Sequence, residues 1–208
     1  MGKHSALRPG NLQILQERDR HVRRLLVGAG LDDLASLRVF EAGCGEGRNL
    51  LELLRWGALA ENMTGVDLDA SRIEDGRSLN PAVRLEAASA DSVDLDDDAV
   101  DLSLAFTLFS SVPDDSIARA IAGEMLRVTR PGGLVLVYDM RRRSPNPAVR
   151  PITAEQIRSW FGDREIESTS LTLAPPLARS PVGRSVLAYG LLAALPPLRT
   201  HQMHAVAA

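Results

Sequence analysis

Short apolar runs alternate along most of the chain with longer stretches in which apolar positions recur at helical spacing. The pattern predicts an amphipathic helix over 12–29, a strand over 37–42, a helix over 48–56, a strand over 63–67, a helix over 70–79 and a strand over 83–87. An acidic loop follows, then a strand over 100–106, a helix over 115–129 and a strand over 134–139. Pro131 with Gly132 and Gly133 keeps that helix from running into the strand, since proline offers no amide hydrogen to the helical ladder. Strand and helix in regular alternation is the arrangement of βαβ units closing a parallel sheet.

The last third breaks the alternation. A helix over 154–161 precedes a strand over 165–173, a proline-rich apolar stretch over 174–197 and a closing strand over 201–207. Strand, excursion and strand read as a hairpin carrying an inserted lid. With no internal repeat and 208 residues, the expectation is one α/β domain over 1–208, in which 1–36 is a helical cover and 174–199 an apolar lid or homodimer segment.

Composition narrows the partners. A net charge of -3 leaves no basic field for phosphate backbones, and 4% aromatic residues are too few for a base-stacking surface, so nucleic acid is excluded. Cys44, the one cysteine, can form neither an internal disulfide nor a cysteine metal cluster, which fits a reducing, cytoplasmic setting and no metal. The first ten residues lack a signal-peptide core, and the longest apolar stretch, over 186–195, falls short of the ~18 residues of a membrane span. The expectation is a cytoplasmic protein with no membrane span. Of 24 basic residues only Lys3 is lysine, a bias that discounts arguments from arginine alone.

The most informative segment is Val39-Phe40-Glu41-Ala42-Gly43-Cys44-Gly45-Glu46-Gly47-Arg48. An apolar strand ends in a turn with glycine at every second position, and a helix begins at once. Glycine lets the backbone turn sharply and approach a ligand, while free amides at the helix start favour polar or negative ligand atoms. The spacing differs from the dinucleotide pattern GxGxxG, whose third glycine position is Arg48, and no Gly-Lys-Ser/Thr of a P-loop is present. A nicotinamide-dependent oxidoreductase is therefore a minor alternative.

These residues resemble the first motif of the class I S-adenosylmethionine-dependent methyltransferases, Asp/Glu-x-Gly-x-Gly-x-Gly, filled by Glu41, Gly43, Gly45 and Gly47. Gly65-Val66-Asp67-Leu68-Asp69 is similar to the family's second acidic motif, and Leu126 to Leu134 to its Leu-x-x-Gly-Gly lead into strand five. The three blocks span 37–139, half the chain. The resemblance implies a Rossmann-like fold, a mostly parallel sheet with an antiparallel last strand, and S-adenosylmethionine as cofactor.

It also implies roles. A carboxylate at a strand's carboxyl end can accept both hydrogen bonds of a ribose diol, which assigns Asp67 to the ribose and leaves Asp69 to cap the next helix. Glu41 would face the ammonium of the methionine end, or satisfy the turn's own amides. Gly43, Gly45, Leu68 and Phe106 would line the cofactor, with Ser89, Ala90 or Asp91 at the adenine, where the family's acidic residue is replaced by Ser89. The run Asp94 to Asp98 reads as a solvated loop.

The acceptor belongs beyond the strands' carboxyl ends, near Thr107, Phe109, Ser110, Ser111, Tyr138 and Asp139. A histidine that small-molecule members often carry near Ser110 is missing. The candidate bases are Asp139, whose other role would be to fix Arg141 or a backbone turn, and His21 from the cover helix. His201 and His204, three apart on a strand, point to opposite faces and read as packing residues. Arg141, Arg142, Arg143 and Arg150, around Pro145 and Pro147, form a solvated loop or grip an anionic substrate group. The expected activity is O-methylation of a small-molecule hydroxyl, in a secondary metabolite or a sugar. The alternative is a non-catalytic partner or regulatory subunit that binds the same cofactor.

Overall fold

The computed structural model describes residues 9–143 and 146–208. The opening residues read above for a leader, up to Arg8, and Pro145 of the arginine loop lie outside the described residues. Seven strands form one sheet: β1 (Val39–Ala42), β2 (Met63–Asp67), β3 (Arg84–Ala87), β4 (Val100–Phe106), β5 (Thr129–Met140), β6 (Ile166–Leu173) and β7 (Arg199–Ala207). Their order is β3-β2-β1-β4-β5-β7-β6. All neighbours are parallel except β7, which runs antiparallel to both β5 and β6.

Side-chain alternation along the strands sorts the core into two layers. Val39, Leu102, Leu104, Phe106, Leu136 and Tyr138 face one side, covered by α1 (Pro9–Gly28), α2 (Arg48–Arg55) and α3 (Ala70–Leu79). Phe40, Ala42, Ala105, Val135 and Val137 face the other, covered by α4 (Asp115–Val128) and α5 (Ala154–Phe161). Strands buried on both faces read as continuous apolar runs, which is how the sequence pattern finds them.

One element departs from expectation. Strand five begins at Thr129, five residues before the predicted start, and passes through Pro131-Gly132-Gly133. The register against β4 jumps from Val100↔Thr129 to Leu102↔Leu134, so residues 130–133 bulge around Asp101, whose carboxylate accepts from Arg130 Nε at 2.5 Å and from the Arg38 amide at 2.7 Å. A bulge is where a strand tolerates proline, because the ladder bond it cannot donate is absent there.

Between β6 and β7 the chain makes its excursion through α6 (Pro175–Ala178) and α7 (Val186–Ala193). The Ala174 amide donates to the Leu198 carbonyl at 2.8 Å and pins the two ends together. α1 packs against α6, linking the two segments expected to act as covers.

Candidate functional site

The sheet order reverses between β1 and β4: the chain proceeds from β1 outward to β2 and β3, then returns to lay β4 and β5 on the other side. A crevice opens beyond the carboxyl ends of strands at such a point. Here it is a cleft of about 1090 Å³ reaching from Asp67 and Ser89 to Ser111 and Tyr138.

The glycine turn forms its floor. Gly43, Gly45 and Gly47 have φ of 67°, 55° and 70°, a left-handed conformation costly for other residues. A Cβ on Gly43 would lie 2.7 Å from the Leu108 side chain, and one on Gly45 2.0 Å from the Arg72 guanidinium. Gly47 is the N-cap of α2 and offers no side-chain acceptor to the helix's first amides.

Glu41 ends β1 with its side chain fully buried. Oε1 accepts from the Asn49 amide at 2.6 Å, while the buried Oε2 has no partner. Burial pushes the carboxyl up to about 8, against the lowering effect of Asn49 and Arg18. Asp67 ends β2 and is tied to the turn: Oδ2 accepts from the Gly45 amide at 2.8 Å and faces Arg72 Nη1 at 3.3 Å, and Oδ1 accepts from the Asp69 amide at 2.9 Å. Asp69 caps α3, accepting from the amides of Ser71 and Arg72. The Ser71 hydroxyl, which donates to the same carboxylate at 2.6 Å, and these amides hold its carboxyl below the usual carboxylate range.

Gly43, Asp67, Leu68, Ser89, Ala90 and Phe106 line the cleft. Leu68 is 79% exposed, an apolar platform left open. Glu41 lies just behind the wall beside Asn49, and Gly45 lies beneath Arg72. Of the adenine candidates, Ser89 and Ala90 reach the cleft and Asp91 does not. At the other end stand Leu15, Phe106, Thr107, Leu108, Ser111 and Tyr138. Thr107 has φ 58°, rare for a β-branched residue, and is held by its amide donating to the Tyr138 carbonyl at 2.7 Å and its hydroxyl to the Phe106 carbonyl at 2.7 Å.

Neither expected base reaches this space. Asp139 follows Tyr138 on β5, so alternation turns it to the α4/α5 side, where it is 2% exposed. Its Oδ2 accepts from the Ser110 amide at 2.9 Å and its Oδ1 from the Met140 amide at 2.7 Å, so it fixes a backbone turn, the other role foreseen for it. Burial raises its carboxyl, and these amide bonds lower it. His21 lines a separate cavity of about 690 Å³ between α1 and the β6–β7 side of the sheet. His201 stacks on Tyr138 with ring centroids 4.9 Å apart, and His204 Nδ1 pairs with the Ser168 hydroxyl at 2.8 Å. Burial pushes both imidazoles down to about 4. Arg150 pairs with Asp115 at 2.7 Å and lies over Trp160, outside the cleft.

Among the lining residues that sequence reading missed are the polar Arg18, Asp19, Asn49 and Arg72. Arg18 donates to Asn49 Oδ1 at 3.0 Å, to Asp19 at 3.0 Å, and lies 5.4 Å from the Phe106 ring centre. One signal was available: Arg18 falls between Leu15 and Val22 on the inward face of an amphipathic helix, where a cation is out of place.

The donor set suits adenosylmethionine. A buried carboxylate oxygen without a partner awaits a cation such as its ammonium. Asp67 stands at a strand end where a diol can reach it, and Leu68 offers an apolar face to a base. The chemistry of the lining residues therefore fits the cofactor.

Comparison with known proteins agrees. Residues 39–133 match a family described as a methyltransferase domain. The malonyl-[acyl-carrier protein] O-methyltransferase of Pectobacterium atrosepticum is 32% identical over 101 residues, 49% of this chain, which spans 38% of that relative's length. Among solved structures, an S-adenosylmethionine-dependent methyltransferase from Archaeoglobus fulgidus aligns with a TM-score of 0.64 at 13% identity, covering 91% of this chain and 94% of that one. Another from Mesorhizobium loti aligns with 0.61 at 17% identity, covering 91% and 99%. At such identities the structural likeness speaks for the fold, and the matched segment carries the cofactor motifs.

Proposed function

We propose that this chain, a class I S-adenosylmethionine-dependent methyltransferase in its fold and in its 39–133 segment, methylates an oxygen atom of a small molecule. The observation that carries this reading is the acceptor end of the cleft. Leu15, Phe106, Thr107, Leu108, Ser111, Val112, Ile117 and Tyr138 line it with apolar surface and hydroxyls, and the nearby carboxylate of α1 that reaches the cleft, Asp19, is paired with Arg18 at 3.0 Å. Such a wall can align an acceptor, and a carboxylate engaged by an arginine is a weak base. An oxygen already ionised near neutral pH, a carboxylate or an acidic hydroxyl of a secondary metabolite, suits it better than a sugar alcohol.

Adenosylmethionine supplies an electrophilic methyl group on a sulfonium that is a good leaving group. The chain's own contribution is alignment and exclusion of water. Asp67 accepts from the ribose hydroxyls, Glu41 opposes the ammonium through its unpaired oxygen, and Arg18 opposes the carboxylate of the methionine end. Leu68, Ser89 and Ala90 flank the adenine, and the Gly43 backbone lets the cofactor lie close. Phe106 and Tyr138, packed edge to face at 5.8 Å, would give the acceptor a rigid aromatic wall. The curated relative described above is named an O-methyltransferase, which accords with oxygen.

The test is a panel of carboxylic acids, phenols, sugars and amines, with adenosylhomocysteine formation as readout. Turnover is expected with acids or phenols, its pH profile following the acceptor's own ionisation. Turnover confined to amines or to sugar alcohols would overturn the oxygen-anion reading, and cofactor binding without turnover on any acceptor would favour a binding role.

A further inference from the structure

The excursion between β6 and β7 leaves an apolar face that the cleft does not use. Helix α7 packs Tyr189 and Ala193 inward, and the Tyr189 hydroxyl donates to Glu17 of α1 at 2.6 Å. Its outer side is Val186, Leu187, Gly190, Leu191 and Ala194, which share an arc of about 140° at the helical repeat. Val186, Leu187 and Leu191 are 76%, 81% and 75% exposed, and Val182 and Leu195 extend the patch at its two ends. Single exposed leucines are ordinary, but a contiguous set marks a contact surface.

Charge decides what fits this surface. From Ser168 to Ala208 the chain carries Arg179, Arg184 and Arg199 and no aspartate or glutamate, although the whole chain is net acidic. The loop leaving β5 adds Arg141, Arg142 and Arg143, and Arg141 donates to the Pro196 carbonyl at 3.4 Å, which joins that loop to the excursion. Arg142, Arg143 and Arg184 are exposed. A second copy of the chain is a poor occupant, because a two-fold contact presents one patch to itself and would set arginines against arginines. An anionic bilayer surface matches both features, since apolar side chains enter the interface while basic ones meet the headgroups.

Position adds a reason. Met140 at the end of β5 pairs with His201 near the start of β7, so the excursion hangs from the same edge of the sheet on which the cleft opens. We propose that the Val182-to-Leu195 face docks on an anionic lipid surface, with Arg142, Arg143 and Arg184 at headgroup level. Among the described residues no helix is long and apolar enough to cross a membrane, and docking of this kind requires none. This inference is independent of the acceptor's identity.

Cosedimentation of the full chain with phosphatidylglycerol–phosphatidylethanolamine vesicles, against phosphatidylcholine vesicles, tests it without any activity measurement. Binding to the anionic vesicles is expected, weakening as salt is raised because headgroup attraction is screened. Leu187→Ser combined with Leu191→Ser should lower the partition by at least about tenfold, each leucine losing apolar burial. Arg142→Ser with Arg143→Ser should lower it by roughly tenfold or more, about fivefold for each charge near the surface. All four side chains are exposed, so melting curves should match the unaltered protein. Equal binding by either double variant, or no binding to anionic vesicles, overturns the proposal. A dimer in light scattering that the leucine variant dissolves would instead assign the face to a second copy.

Discussion

Asn49 binds one oxygen of Glu41 at 2.6 Å and leaves the other buried and unpaired, so the carboxyl is oriented but has no cation against it. Burial is the reason its proton is lost only near pH 8. An ammonium brought against Oε2 must displace that proton at lower pH. Adenosylhomocysteine affinity should therefore fall below pH 8, at a rate approaching about tenfold per pH unit. Calorimetric titration across pH 6 to 8 checks this, and Glu41→Gln should both weaken binding and flatten the dependence.

The same carboxyl shapes the stability of the cofactor-free protein. Its folded value lies above its unfolded one, so its favourable share is complete below about 4.5 and is lost as pH rises through about 8. Glu41→Gln should raise the melting temperature at pH 8 in the absence of cofactor and leave it little changed at pH 4.5. A single substitution that strengthens the empty fold and weakens the ligand is the signature of a site held at a cost.

Asp67 and Asp69 should separate by assay, though less cleanly than their sequence positions alone indicate. Asp67→Ala should weaken cofactor binding by about 1.5 to 3 kcal/mol, the usual worth of hydrogen bonds to a charged group. It should also lower the melting temperature, since the amides of Gly45 and Asp69 lose their acceptor. Asp69→Ala should lower the melting temperature through the lost cap and leave affinity alone. Equal affinity for Asp67→Ala and the unaltered protein would remove Asp67 from the ribose.

For Asp139 the expected kinetic outcome is small. Asp139→Asn should keep turnover within about threefold while costing on the order of 1 to 3 kcal/mol of stability, because an amide nitrogen would face a backbone N–H that now has a carboxylate acceptor. A fall of ~10² or more with the fold intact would return the role of base to this residue.

His201 and His204 are buried with imidazoles that resist protonation down to about pH 4. Unfolding frees them to take protons from pH 6.5 downward, so their share of stability is present above 6.5 and lost as pH falls toward 4. His201→Phe, which keeps a ring against Tyr138, should soften the decline in melting temperature between pH 6.5 and 4.5.

The strand and helix layout was legible because the central strands β1, β4 and β5 are largely apolar and several of the breaks carry proline or glycine. The Pro131 bulge escaped, since Arg130 and Asp101 organise it through a contact distant in sequence. The glycine turn and the strand ends that carry Glu41 and Asp67 were legible, because their spacing is local. The placing of Asp139 needed one further step: Tyr138 and Asp139 are neighbours on a strand, and only one of them can face the cleft. Arg18 and Asn49 meet Glu41 from two different helices, and such convergence is a property of the folded chain.

The hydrogen bond from Ala174 to Leu198 closes the excursion at its neck. Everything beyond the neck can then vary in length at little thermodynamic expense, since doubling a closed loop costs only about 0.6 kcal/mol in chain entropy. Insertions there would leave the register of β6 against β7 untouched and the glycine turn undisturbed. Descendants of this chain have a region in which to try new surfaces without renegotiating their grip on the cofactor.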